Sequence, residues 1–493
     1  MNKLEIANNY IKENIGNINK KYKAKYHITP PVGWLNDPNG FTFYKGEYHL
    51  FYQYNPYDSV WGPMHWAHIK SKDAINWEWL PVALAPENDY ESGGCFSGSA
   101  IEKDGKLYLM YTGHSDATNS AEGVRQVQCL AESTDGVIFE KYENNPIISA
   151  DKLPKDATIQ DFRDPKVFEK DGVYYSVIAS RSLEDAGQIL LYKSEDLYKW
   201  DYVGVLAKSN HKIGDMWECP DLFELGGKDI LIMSPMRVET NGYDFWNINS
   251  TTYMIGKLDY KTGKYEYDYI GEIDNGLDFY APQTMIDDKG RRILVAWMQT
   301  WGREMPSNIE KHGWAGTMTL PRVLEIIDNK LYQKPIESIR DYRKNEFTLN
   351  NISVKDRISL EKISGDTIEL LLEVDMTNSN MFGINLLKSK EEHVSISYNK
   401  ALAELTFDRG LSKNIIKGEE KIYRSYRKVG VELIDNKLKL NIFIDVSNIE
   451  IFINDGIKVM SSSVYMQDCG RDIEFVSDGE AVLCNVTKWD III

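Results

Sequence analysis

The chain has 493 residues, about two to three times a typical domain, with 42% hydrophobic and 27% charged residues, so two globular domains are expected and disordered, collagen-like and low-complexity classes are excluded. Fifty-seven basic residues against 74 acidic ones leave a formal charge of −17, a sign that repels phosphate backbones and anionic lipid and argues against nucleic-acid or membrane partners. Five cysteines (Cys95, Cys129, Cys219, Cys469, Cys484) without a C-x-x-C pair suggest neither a disulfide framework nor a zinc site, and read as reduced thiols.

Residues 1–24 lack the apolar core of a signal peptide. Leu4, Ala7, Ile11, Ile15 and Ile18 instead recur at helical spacing, which predicts a short amphipathic helix docked on the body. No apolar run approaches the ~20 residues of a membrane span. A cytoplasmic protein is expected.

Residues 25–336 carry an internal repeat. Five segments share a polar residue, a β-rich run, a glycine turn and a second β-rich run, with the turn glycines at Gly46, Gly105, Gly172, Gly227 and Gly290. A further hairpin signal, Ser-x-Asp followed by an aromatic residue, appears at Ser71, Ser133 and Ser194. Four-stranded units repeated five times predict a five-bladed β-propeller. A charged linker over 337–346 precedes short alternating strands in 347–493, which suit a β-sandwich. The expected class is all-β: propeller, then sandwich, with the short N-terminal helix in front.

Eight to ten residues before the turn glycines stand Asp37, Ser97, Asp164, Glu218 and Tyr280, and equivalent places in a propeller meet around its axis. Proline follows closely in four of the five (Pro38, Pro165, Pro220, Pro282), as at the first residue or edge of a strand. Three carboxylates in a sugar-sized pocket suit glycoside hydrolysis by a nucleophile and an acid/base, with mutual repulsion raising one pKa. Trp34, Trp61, Phe96, Trp301 and Tyr280 offer faces for sugar C–H surfaces, while Asn36, Gln53, Ser97 and Arg163 offer hydrogen bonds to hydroxyls. His65 and His68 form H-x-x-H in a strand-like stretch, where residues three apart face oppositely, so no metal is expected there. The signals of P-loop, dinucleotide and serine-hydrolase chemistry are missing.

The motifs HITPPVGWLNDPNG, FYQYNP, CFSGSA, FRDPKV, ECPDL, DFYAPQT and GWAGTMTLPR, with FDRG and IEIFINDG further on, resemble glycoside hydrolase family 32, the β-fructofuranosidases. The resemblance implies a five-bladed propeller with a β-sandwich, no metal or organic cofactor, and a small carbohydrate substrate. By motif, Asp37 looks like the nucleophile, Glu218 like the general acid/base and Asp164 like the transition-state stabiliser. Asn36, Gln53, Trp61, Phe96, Ser97, Arg163 and Trp301 match positions around the fructose. Cys95 before Phe96, and Ala67 where glycine is frequent, depart from the family pattern beside the site.

The N-terminal helix resembles intracellular bacterial members acting on sucrose, sucrose 6-phosphate or short fructo-oligosaccharides. Arg125, Arg181, Arg237, Arg303, Lys311 and His312, read as loop residues, are the candidate partners for a phosphate. An uncharged leaving group needs none of them, so sucrose and short fructo-oligosaccharides are favoured, with sucrose 6-phosphate as the alternative. A catalytically silent sugar-binding propeller is the reading from a different class.

Overall fold

The computed structural model describes residues 2–116, 123–418, 425–468 and 470–493, which leaves Cys469 outside the described residues. Five antiparallel sheets of four strands form blades I (residues 33–84), II (94–141), III (157–208), IV (216–272) and V (280–335). Each innermost strand packs against the next, and Tyr280–Ile286 packs back on Gly33–Tyr44 to close the ring. A two-residue strand, Trp314–Ala315, pairs in parallel with Gly33–Trp34 and ties blade V to blade I.

Turn chemistry explains why the repeat folds this way. Lys45-Gly46, Asp104-Gly105, Asp171-Gly172 and Gly226-Gly227 all have positive φ at both positions, the two-residue hairpin turn whose twist matches the strands it joins. The Ser-x-Asp signals build the outer connections. Asp73, Asp135 and Asp196 each accept bonds from backbone N–H groups two and three residues on, while Ser71, Ser133 and Ser194 lie within hydrogen-bond reach of the same carboxylates.

At the N-terminus, Lys3–Asn14 is helical and opened by an Asn2–Glu5 capping box. Ala7 is buried, Leu4 and Ile11 pack partly against the first blade, and Asn8 accepts the Val82 N–H. The expected apolar stripe is too long. The helix ends at Asn14, a 3-10 turn takes over, and Ile15 points to solvent.

After blade V, a 3-10 helix over Glu337–Tyr342 runs straight into the long strand Arg343–Ser364. This strand pairs with Asp472–Ile491 in a ten-stranded sheet folded over a core that includes Leu370, Leu372, Ile384, Phe407, Ile442, Ile451 and Phe475. The expected β-sandwich is therefore present.

Propeller and sandwich are joined by buried charge. Arg322 bonds Glu450 and Asp274, and both nitrogens of His27 contact carboxylates, Nδ1 to Asp445 at 2.9 Å and Nε2 to Glu450 at 2.8 Å. Arg409 and Arg303 share Asp278, and Arg427 meets Glu272. Although burial opposes charge on His27, its two carboxylate partners outweigh that and raise its pKa to about 9. Removing one member leaves uncompensated charge in the interior. Arg322→Leu is expected to cost ~3–5 kcal/mol, read as a lower urea midpoint; an unchanged midpoint would remove this network from the account.

Candidate active site

Every innermost strand is irregular at one equivalent place. The pairing register slips between Leu35 and Pro38, Phe96 and Gly98, Arg163 and Lys166, Glu218 and Asp221, and Tyr280 and Gln283. A bulge turns a strand locally and re-aims its side chains. It also accommodates the prolines that follow the site residues, so the missing N–H reflects a bulge and not only an edge position. Blade II uses Ser97-Gly98 instead, where a Cβ on Gly98 would lie 2.1 Å from the Met110 carbonyl oxygen. Asp164, Cys219 and Ala281 occupy the left-handed region at φ of 63°, 47° and 50°, so the site carries local backbone strain.

The bulges gather one pocket of about 370 Å³. Its walls include all ten residues singled out from the sequence: Asp37, Asp164 and Glu218 with Asn36, Gln53, Trp61, Phe96, Ser97, Arg163 and Trp301. The channel beneath is narrowed to a small void lined by Asn39, Lys166, Gln283 and the prolines, and the pocket residues lie toward the N-terminal ends of the inner strands.

Asp37 is buried. Its Oδ2 accepts the Ser97 hydroxyl at 2.8 Å, while Oδ1 has no hydrogen-bond partner among the described residues. Burial, and then the charge of Glu218, push its pKa up to about 6. Asp164 accepts the Cys219 N–H at 2.9 Å, and burial raises its pKa to about 7 against the opposing pull of Arg163. The expectation of repulsion as the driver is thus corrected: loss of water is the larger cause, and neighbouring charge comes after it. Cys219 Sγ stands 3.6 Å from both Asp37 Oδ2 and Asp164 Oδ2.

Glu218 is held on both oxygens. Tyr280 donates to Oε2 at 2.6 Å, and Arg163 donates to Oε1 through Nη2 at 2.9 Å and Nε at 3.2 Å. Arg163 is fixed in turn by Asp161 at 3.0 Å and Gln126 at 3.1 Å. Trp61, 48% exposed, meets Phe96 edge-on at 6.0 Å, and His114 stacks behind Phe96 at 4.2 Å.

Two of the aromatic candidates do not line the pocket. Trp34 is buried against Trp297 and donates to Asn36 Oδ1 at 2.8 Å, and Tyr280 serves Glu218, so both position polar groups. Gln126, Asp161 and Met236 do line it and were missed. Asp161 had a signal, since it stands three residues before Asp164; Gln126 had none. His65 Nδ1 donates to the Pro63 carbonyl at 2.7 Å, and His68 meets His49 at 3.0 Å, so neither faces the pocket.

The loop cations also need correction. Arg125 and Arg181 lie on strands, Arg303 spans to Asp278 at the sandwich interface, and buried His312 stacks on Tyr22 at 5.1 Å. Arg303 and His312 are thereby committed to the domain interface and the N-terminal segment, because their partners lie there and not at the pocket.

Residues 27–335 match the model of the glycosyl hydrolases family 32 N-terminal domain, and residues 335–490 that of the family 32 C-terminal domain. A sucrose-6-phosphate hydrolase of Zymomonas mobilis is 35% identical, over 96% of this chain and 93% of that protein. A raffinose invertase of Escherichia coli is 36% identical over 94% of each chain. The solved structure of a Bombyx mori family 32 β-fructofuranosidase mutant in complex with sucrose superposes with a TM-score of 0.85 at 36% identity, covering 99% of this chain and 98% of that one. With its bulged carboxylate pocket and both domain models matched end to end, the chain belongs to glycoside hydrolase family 32 and is a glycoside hydrolase.

Proposed function

We propose that the enzyme hydrolyses the terminal non-reducing β-fructofuranosyl bond of sucrose and short fructo-oligosaccharides with retention. The observation that carries this reading is the placement of Asp37, with one unbonded carboxylate oxygen, and Glu218, clamped by Tyr280 and Arg163, in the same pocket. Asp37 attacks the anomeric carbon of the fructosyl unit as Glu218 gives its proton to the departing glycosidic oxygen, so one C–O bond forms while the other breaks. Water then attacks the fructosyl ester, Glu218 takes its proton, and Asp37 is released as carboxylate. Asp164 hydrogen-bonds ring hydroxyls through the oxocarbenium-like transition state. Asn36, Gln53, Ser97 and Arg163 bind hydroxyls, and Trp61, Phe96 and Trp301 cover the sugar's C–H faces.

Sucrose in the Bombyx mori complex supports the substrate class. The second reading, sucrose 6-phosphate, is supported by the name of the Zymomonas relative. A silent binding propeller would lack the nucleophile or the acid, and this chain has a carboxylate in both places. An intracellular setting belongs to the same proposal, supported by the free thiols Cys95, Cys129, Cys219 and Cys484. No helix among the described residues is long and apolar enough to cross a membrane.

Asp37→Ala and Glu218→Ala are each expected to lower kcat on sucrose by roughly 10²–10⁴-fold or more while folding normally. Near-wild-type turnover in either would remove the corresponding role. A pH profile tests Ser97. Its hydroxyl favours the ionised form of Asp37, so Ser97→Ala raises that pKa further, and the acidic limb of kcat/KM moves up by about one pH unit. An unmoved limb would show that the bond does not act on the titrating group.

A further inference from the structure

Blades III and IV carry a matching pair of charges on the open side of the pocket. In each, an aspartate stands three residues before the site carboxylate, Asp161 before Asp164 and Asp215 before Glu218. The second strand supplies an arginine across from it. Arg181 follows Ser180, the partner of Phe162, and lies 3.6 Å from Asp161 and 3.0 Å from Asp185. Arg237 follows Met236, the partner of Met216, and its Nε meets both oxygens of Asp215 at 2.9 and 2.8 Å. Three residues of extended chain span about 10 Å, so the Asp215–Arg237 pair stands on the mouth side of Glu218. With Glu218 as the acid, that is where the leaving sugar and any group on it must lie; the inference rests on the proposed reading to this extent.

The charges around this space are unfavourable for an anion. Of the residues that line the pocket, Asp37, Asp161, Asp164 and Glu218 are acidic and Arg163 alone is basic, and Arg163 is already bonded to Glu218 and Asp161. Arg237 has the geometry that receives a phosphate, a planar fork half-open to solvent, but Asp215 occupies the fork. Arg181 is likewise shared between two aspartates.

We propose that Asp161 and Asp215 are specificity-determining residues, which hold Arg181 and Arg237 so that neither guanidinium is open to an anion and an uncharged leaving sugar is selected over a phosphorylated one. Asp215 does not line the pocket and touches none of the groups assigned to bond cleavage, which makes it the clean site for a test.

The experiment compares kcat/KM for sucrose and sucrose 6-phosphate in the full chain, in Asp215→Asn, in Arg237→Gln and in the double variant. The wild type is expected to favour sucrose or treat the two alike. Asp215→Asn frees the guanidinium and should raise the phosphorylated-to-plain ratio by about tenfold at low salt, with sucrose turnover within about twofold of the wild type. The gain should shrink in high salt and vanish in the double variant. A wild-type preference for sucrose 6-phosphate of tenfold or more, or an unchanged ratio in Asp215→Asn, would overturn the proposal. Wild-type enzyme inert on both substrates would instead count against the hydrolase reading. Inorganic phosphate as a ligand still tests the specificity claim in that case: Asp215→Asn should bind it more tightly than the wild type, and equal affinity would overturn the claim.

Discussion

A propeller brings five inner strands to one axis, but regular strands would direct alternate side chains toward and away from it with nothing to mark one level. The register slip shared by all five inner strands supplies that level. At each slip the backbone departs from the ladder: Asp37, Ser97 and Asp164 fall in the unpaired step, and Glu218 and Tyr280 are the last paired residues before it. Left-handed backbone at Asp164, Cys219 and Ala281 is the local cost, of order 1–3 kcal/mol each, and the surrounding sheets hold it in place. Proline after the bulge removes the N–H that the slipped ladder has no use for.

Burial then sets the chemistry. Carboxylates withdrawn from water resist ionisation, which lifts Asp37 to about 6 and Asp164 to about 7. Those groups titrate near neutrality because the bulges place them deep over a narrowed channel. Arg163 is the counterweight, and its bonds to Glu218, Asp161 and Gln126 make it the hub through which blades II, III and IV are coupled. The same logic recurs at the domain interface, where Arg322, His27, Arg409 and Arg427 meet Glu450, Asp274, Asp445, Asp278 and Glu272. Desolvation offsets much of the attraction within such a pair, while removal of one partner leaves a buried charge uncompensated.

Much of this was legible in the residues. The five-fold period follows from turn glycines at fixed offsets, because Gly-containing two-residue turns have few alternatives to hairpins. The ten pocket residues were readable because each lies within a residue or two of a repeat-matched site residue or at a position supplied by the resemblance to the family, as Gln53, Trp61 and Trp301 do. What escaped were partners set by tertiary contact. Gln126 reaches Arg163 across blades, and Trp34 faces Trp297 instead of a sugar; neither fact has a local signature. Ile15 kept the helical spacing although the helix had already ended, since apolar periodicity does not register a 3-10 turn. Arginines in polar stretches looked alike in sequence, and only the strand pairing separates Arg237 at the mouth from Arg303 at the sandwich.

The most direct measurement on the account is to trap the covalent intermediate. Glu218→Gln enzyme, mixed with a fructosyl substrate whose leaving group departs without acid assistance and then quenched in acid, should carry one fructosyl unit on the peptide containing residues 33–44. Fragmentation should place it on Asp37. A fructosyl unit on Asp164 or on another peptide, or product of inverted configuration from the wild-type enzyme, would contradict the account.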